Sequence, residues 1–258
     1  MIMKSILGLF FALTFLACSQ QKPYGDPVVH PAAAVRDMDS FLRYRQKHVH
    51  LYEDFNALDA ASTAISKEDF LRQISTGNYF PVRLQSTDSS AYYRLATLGK
   101  SVNQDIKIVS KYWGLEEYEH FRLEGKPLPA YDLVDLDGKR YTNESTKGKI
   151  MVIKCWFINC LPCIQEMPAL NEIKRKYEGQ NDVLFVSLCL DSRDNVKAFL
   201  AKKKFDYPVV PDQNNFLTDT LQINSYPTHF VIGKDGLIAK KVGDYHGMVY
   251  ALEKELVR

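Results

Sequence analysis

Cys160 and Cys163 stand three positions apart in the stretch WFINCLPCIQEMP, residues 156–168. Two thiols at that spacing can clip a metal, hold a permanent cross-link, or pass electrons by thiol–disulfide exchange. A structural zinc site needs four ligands, commonly two such pairs or one pair with two histidines. The chain has no second pair of this kind. Cys155 and Cys189 lie inside the apolar runs IMVIKCWF and VLFVSLCL, which read as buried strands. A thiol in such a run is ordinarily a small buried hydrophobe. Exchange chemistry needs one accessible sulfur held as thiolate and a second within reach to resolve the mixed disulfide.

The elements around the pair supply those conditions. Residues 149–157 read as a strand, and a helix follows to about residue 177. A helix N-terminus presents unsatisfied N–H groups and a partial positive charge, which favour a thiolate. Cys160 at that junction is the more exposed position and the expected nucleophile. Cys163, one turn on, is the expected resolving thiol. Pro162 is tolerable in the first turn, where its missing N–H costs nothing. Pro168 lies deeper and should kink the helix.

Further strands are expected at 182–190, 208–210, 228–233 and 237–242, with helices at 195–204, 215–221 and 248–257. A hairpin flanks Asp137-Gly138. This alternation predicts an α/β unit over residues 123–258, with a mixed central sheet covered by helices on both faces. Residues 26–121 form a smaller N-terminal domain, expected to be mainly helical α+β. Its residues 31–61 read as helical, with strands at 79–85 and 91–98 and a helix or connector at 111–121. Ser66 caps a short helix. His48 and His50 would share a face only on a strand, so this helical reading gives them no joint metal site.

The chain has 258 residues, with 46% hydrophobic and 25% charged, which places it among globular proteins. Its net charge of +2 and the absence of a dominant basic patch give no reason to expect nucleic acid. The first residues read differently. Lys4 precedes an apolar run at 6–16, too short to span a bilayer as a stable helix and suited to a secretory signal. The FLAC stretch followed by Ser19 resembles a bacterial lipoprotein signal, with Phe15 where Leu is usual. That resemblance implies a signal peptide at 1–17, lipidation of Cys18, a polar tether at 18–25, and anchoring outside the cytoplasm. Each buried methylene of an acyl chain contributes about 0.8 kcal/mol, so several chains hold a protein firmly. Ser19 lacks the acidic character associated with inner-membrane retention, so the expected location is the outer membrane, facing the periplasm.

KGKIMVIKCWFINCLPCIQEMPAL, SLCLD and YPTHFVIGKDGLI together resemble the TlpA/ResA-like branch of extracytoplasmic thiol–disulfide oxidoreductases, within the thioredoxin-like fold. The resemblance covers about half of the chain. It implies a redox-active Cys160–Cys163 pair, a cis Tyr226–Pro227 bond beside Cys160, and substrate contacts from Trp156, Tyr226 and Pro227. It implies no cofactor. The partners implied are exported proteins with disulfides and a membrane electron donor. Several positions depart from the common pattern: Asn159 precedes Cys160, and Leu161-Pro162 replaces Gly-Pro. Lys154 occupies the strand position where cytosolic thioredoxins place a buried acid. With Glu166 it is a candidate for tuning the thiols; the other reading has its stem packed and its ammonium snorkelling to water.

Three alternatives share this fold. A copper-delivery protein would use a longer C-x-x-x-C spacing, with His229 as the one nearby histidine. A peroxidase would carry Pro and Thr or Ser at the positions of Ile153 and Phe157. A non-catalytic binding module would keep Cys160–Cys163 as a permanent staple.

Overall fold

The computed structural model describes residues 22–258. The leader at 1–17 and Cys18 lie outside the described residues. The stretch expected as a tether already enters a strand at Tyr24.

The N-terminal unit contains β1 (Tyr24–Pro27), α1 (Pro31–Ala34), α2 (Met38–His48), β2 (Phe55–Leu58), β3 (Ala64–Ile65), α3 (Lys67–Ile74), β4 (Tyr79–Ser86), β5 (Ala91–Thr97) and α4 (Gln104–Phe121). Its five strands form one sheet in the order β1-β4-β5-β2-β3. Phe41, Phe70, Ile74, Phe80, Leu95 and Ile106 fill the core between this sheet and the helices. The expectation of a mainly helical α+β domain holds, with the helices packed on a five-stranded sheet. The helical reading of 31–61 holds only to His48. Beyond it, Phe55 packs edge-on against Phe70 and Tyr93, and β2 pairs in parallel with β5. Long-range pairing overrides a local period in so short a segment.

α3 starts where the capping pattern placed it, with the Ser66 hydroxyl accepting from the Asp69 amide at 3.0 Å. α4 begins at Gln104, earlier than the sequence indicated, because Asn103 caps it through Asp105 N–H.

The second unit contains β6 (Asp132–Val134), β7 (Arg140–Thr142), β8 (Ile150–Trp156), α5 (Leu161–Gln165), α6 (Met167–Lys176), β9 (Val183–Cys189), α7 (Arg193–Leu200), β10 (Val209–Val210), a π-helical turn at Phe216–Thr220, β11 (Thr228–Ile232), β12 (Ile238–Val242) and α8 (Tyr245–Leu256). The central sheet runs β10-β9-β8-β11-β12. β10, β9 and β8 are parallel, while β11 is antiparallel to both β8 and β12. This mixed sheet is the thioredoxin-like architecture that the sequence predicted. Alternate residues of β8 serve two cores. Val152 and Trp156 meet Cys163, Met167, Leu170, Val196 and Met248 from the helices α5 to α8. Met151, Ile153 and Cys155 meet the other face, covered by the β6–β7 hairpin and the π-helical turn. The expected helix at 215–221 is this wider turn.

The two units are docked. Asp54 takes an ion pair from Lys254 at 2.9 Å, and the Tyr52 and Tyr250 rings lie 5.9 Å apart. Gly247 lets the Tyr52 ring approach α8, since a Cβ there would stand 3.1 Å from it.

Candidate active site

β8 ends at Trp156, and residues 157–160 turn the chain into α5. Two contacts fix that turn: Ile158 N–H donates to Asp191 Oδ2 at 2.8 Å, and Leu190 N–H donates to the Trp156 carbonyl at 3.1 Å. Asp191 is a positioning residue that the sequence reading passed over. Its place at the end of the SLCLD stretch, two residues past β9, was the available signal.

Cys160 is the N-cap of α5, and its sulfur accepts from Cys163 N–H at 3.3 Å. The two cysteines are joined as a disulfide, with Cα atoms 5.2 Å apart. Cys160 is 4% exposed and Cys163 is fully buried, so the expected order of access holds, though both are well covered. Leu161 between them is 64% exposed, an apolar side chain offered to solvent beside the pair. Pro162 occupies the first turn of α5. The helix breaks at Glu166, two residues before Pro168, giving α5 and α6.

The Tyr226–Pro227 bond is cis. Thr228 pairs with Cys155 in the β11–β8 register, so the cis bond lies at the same end of the central strands from which residues 157–160 emerge. Tyr226 packs its ring edge-on against Phe157 at 5.5 Å. Among the described residues, no hydrogen bond engages the Tyr226 amide or carbonyl.

Trp156 does not fit its expected role. It is fully buried, against Phe199 and Phe205, and belongs to the core beneath the site. A substrate cannot reach it. Its contribution is to support the turn that carries Cys160.

Lys154 is also fully buried, which overturns the snorkelling reading. Its ammonium pairs with Glu166 Oε1, and His229 Nε2 lies 3.0 Å from the same oxygen. Lys154 and His229 are cross-strand partners, and Glu166 descends from the α5–α6 break onto them. Burial pushes Glu166 upward, but the bond from His229 and the Lys154 charge outweigh it, and the carboxyl stays below its ordinary range. Burial lowers both Lys154 and His229, each opposed by Glu166. The consistent state is an ammonium, a carboxylate and a neutral imidazole whose Nε2–H donates to Glu166. His229 Nδ1 is buried without a partner among the described residues. The sequence reading paired Lys154 with Glu166 and missed His229 as the third member.

Cys155 and Cys189 are buried free thiols. Burial pushes Cys155 up to about 12 and Cys189 far above the ordinary range, so neither competes as a nucleophile. No group of three or more His, Cys, Asp or Glu side chains is placed to hold a metal among the described residues.

The AhpC/TSA family profile matches residues 125–241. The thiol-disulfide oxidoreductase ResA of Bacillus cereus is 33% identical over 119 residues, 46% of this chain and 68% of ResA. The thioredoxin-like protein YneN of Bacillus subtilis is 29% identical over 117 residues, 45% of this chain and 68% of YneN. Among solved structures, the thioredoxin domain of a thiol-disulfide oxidoreductase from Bacteroides vulgatus aligns over 51% of this chain and 96% of its own. Its TM-score is 0.45 and its identity 22%. With its disulfide seated at the expected strand-to-helix turn and this likeness over two thirds of ResA, the chain belongs to the ResA-like family of thiol–disulfide oxidoreductases.

Proposed function

We propose that this oxidoreductase works as a reductase of disulfides in exported proteins, anchored by lipidated Cys18 to the outer membrane and facing the periplasm. The observation that carries the reading is the Cys160–Cys163 bond at the start of a helix, with exposed Leu161 beside it and an unpaired Tyr226 backbone across from it. The reduced pair acts in two steps. The Cys160 thiolate attacks one sulfur of the substrate disulfide, and the other sulfur leaves with the electron pair as a thiolate. The Cys163 thiolate then attacks the Cys160 sulfur, releasing the second substrate thiolate and restoring the internal disulfide. The substrate gains two electrons and the enzyme loses two. A membrane dithiol donor returns them by the same exchange.

Tyr226 and Pro227 are the substrate-facing residues in this reading, with the Tyr226 amide and carbonyl available to an extended peptide. Lys154 and Glu166 tune the thiols from beneath. The apolar run at 6–16 and the cysteine after it support the anchor. No helix of the described residues is long and apolar enough to cross a membrane.

The reduction potential of the pair tests the direction. A value near about −270 mV fits a reductase, whereas one near about −120 mV would make the protein an oxidant.

A further inference from the structure

A cleft of about 990 Å³ opens between α4 and the second unit. α4 lines one wall with Val109, Tyr112 and Glu116, which share a helix face. Tyr112 is 69% exposed and the neighbouring Leu115 36%, an apolar pair facing the opening. The opposite wall is the loop through Leu221 and Ser225 that delivers the cis Tyr226–Pro227 bond. The Ser225 hydroxyl donates to the Glu116 carboxylate, tying the N-terminal unit to that loop two residues before Pro227. The cleft lining thus ends at Ser225, one residue before Tyr226, whose ring packs on Phe157 in the turn that leads to Cys160.

We propose that the N-terminal unit forms half of the substrate-binding surface, and that the cleft takes an extended apolar segment of the disulfide-bearing polypeptide. The proposal rests on the reading of Cys160–Cys163 as the pair that attacks substrate disulfides. Continuity points to a polypeptide: a chain paired with the free Tyr226 backbone runs next past Ser225 and into the cleft. Charge agrees with it. Glu116 and Glu119 on α4 face Arg45, Lys126 and Lys241, so the lining mixes both signs with a formal excess of one positive charge and no single-sign cluster to select an anion or a cation. Apolar side chains inside a polar rim are the arrangement of a peptide groove.

The test uses the full chain with dithiothreitol as reductant and two probes. One is glutathione disulfide. The other is a synthetic peptide whose single cysteine, flanked by leucine and phenylalanine, is in mixed disulfide with glutathione. In a Tyr112→Ser/Leu115→Ser variant, KM for the peptide should rise about tenfold with kcat unchanged. Rates on glutathione disulfide should stay as they are. For the unaltered protein, replacing the peptide's apolar flanks by serine should raise KM by a similar factor, which keeps the test independent of the variant's folding. An unchanged KM in both comparisons overturns the proposal, and so does a variant slowed equally on both probes. A dimer that the same variant dissociates would give the cleft to a second copy and overturn it too. Failure of the unaltered protein to reduce either probe would instead defeat the redox reading.

Discussion

Lys154 and His229 stand opposite each other on β8 and β11, and both reach the same oxygen of Glu166. Three titratable groups thus occupy the layer between the sheet and the helices that carry the cysteine pair. Pairing keeps the charges tolerable there, because an isolated buried ion would lose several kcal/mol of solvation.

Glu166→Gln removes the charge that holds this group together and leaves the Lys154 ammonium buried without a counter-ion. It should cost about 3–5 kcal/mol in denaturant unfolding of the disulfide form. Lys154→Met combined with Glu166→Leu removes both charges and should recover most of that loss. A single-variant loss below about 1 kcal/mol would show that water reaches the pair.

Glu117 gives the stability a pH dependence of definite sign. Burial raises its carboxyl from 4.5 to about 7, against the Trp113 indole N–H that donates to it at 3.0 Å. Glu116 and Asp244 add to the rise and Lys67 opposes it. The folded state therefore holds its proton more tightly than the unfolded chain. This contribution is complete below 4.5 and is lost as pH rises through about 7. Trp113 emission should titrate near that upper value. Glu117→Gln should flatten both the emission curve and this part of the stability profile; an unchanged curve would assign the titration to another group.

Gly114 sets how closely α4 lies on α3. A Cβ there would stand 2.6 Å from the Ile74 carbonyl oxygen, a backbone atom at the end of α3. In an unobstructed helix, Gly to Ala stabilises by about 0.5–1 kcal/mol. Here Gly114→Ala should destabilise by about 1–3 kcal/mol, because the helices must separate. The sign of the change in thermal midpoint decides between the two.

Cys18 lies outside the described residues, so its role is tested by fractionation. Cys18→Ala should leave the protein unprocessed or move it from the membrane pellet to the soluble fraction. Processed protein that still pellets with membranes would end the lipoprotein reading.

The redox turn was legible in the sequence because its chemistry is local. Strand, cysteine pair and broken helix all fall within one stretch with Pro162 and Pro168 at its corners, whereas Pro227 lies far downstream and was placed beside it through the family resemblance. The Lys154–Glu166–His229 cluster was only partly legible. Its members are separated by 12 and 63 positions, and strand register alone brings His229 to the other two. Trp156 was misread because neighbouring the site in sequence does not mean facing it. As an even-numbered residue of β8 it points beneath the helices, between Phe199 and Phe205. In the N-terminal unit, Tyr52 and Phe55 have helical spacing by coincidence. One packs on α8 of the second unit and the other on a sheet, contacts that no local pattern encodes.

The roles proposed for the two cysteines make them unequal. Cys160 caps the helix with a sliver of exposed surface, while Cys163 is sealed below it and donates its N–H to the Cys160 sulfur. An incoming disulfide can therefore meet only the first sulfur. Cys160→Ser removes the attacking group, so no covalent complex should form and reductase turnover should vanish. Cys163→Ser keeps the attack and loses the release step, so mixed disulfides with exported proteins should accumulate. A staple or a metal clip predicts no such asymmetry, because losing either sulfur is the same loss. Cells expressing each variant are quenched in acid, alkylated and run on a non-reducing gel. Reductant-sensitive bands of high mass should form with Cys163→Ser and be missing with Cys160→Ser. Matching patterns would remove the assigned order of attack, and bands in neither would leave the bond as a permanent cross-link.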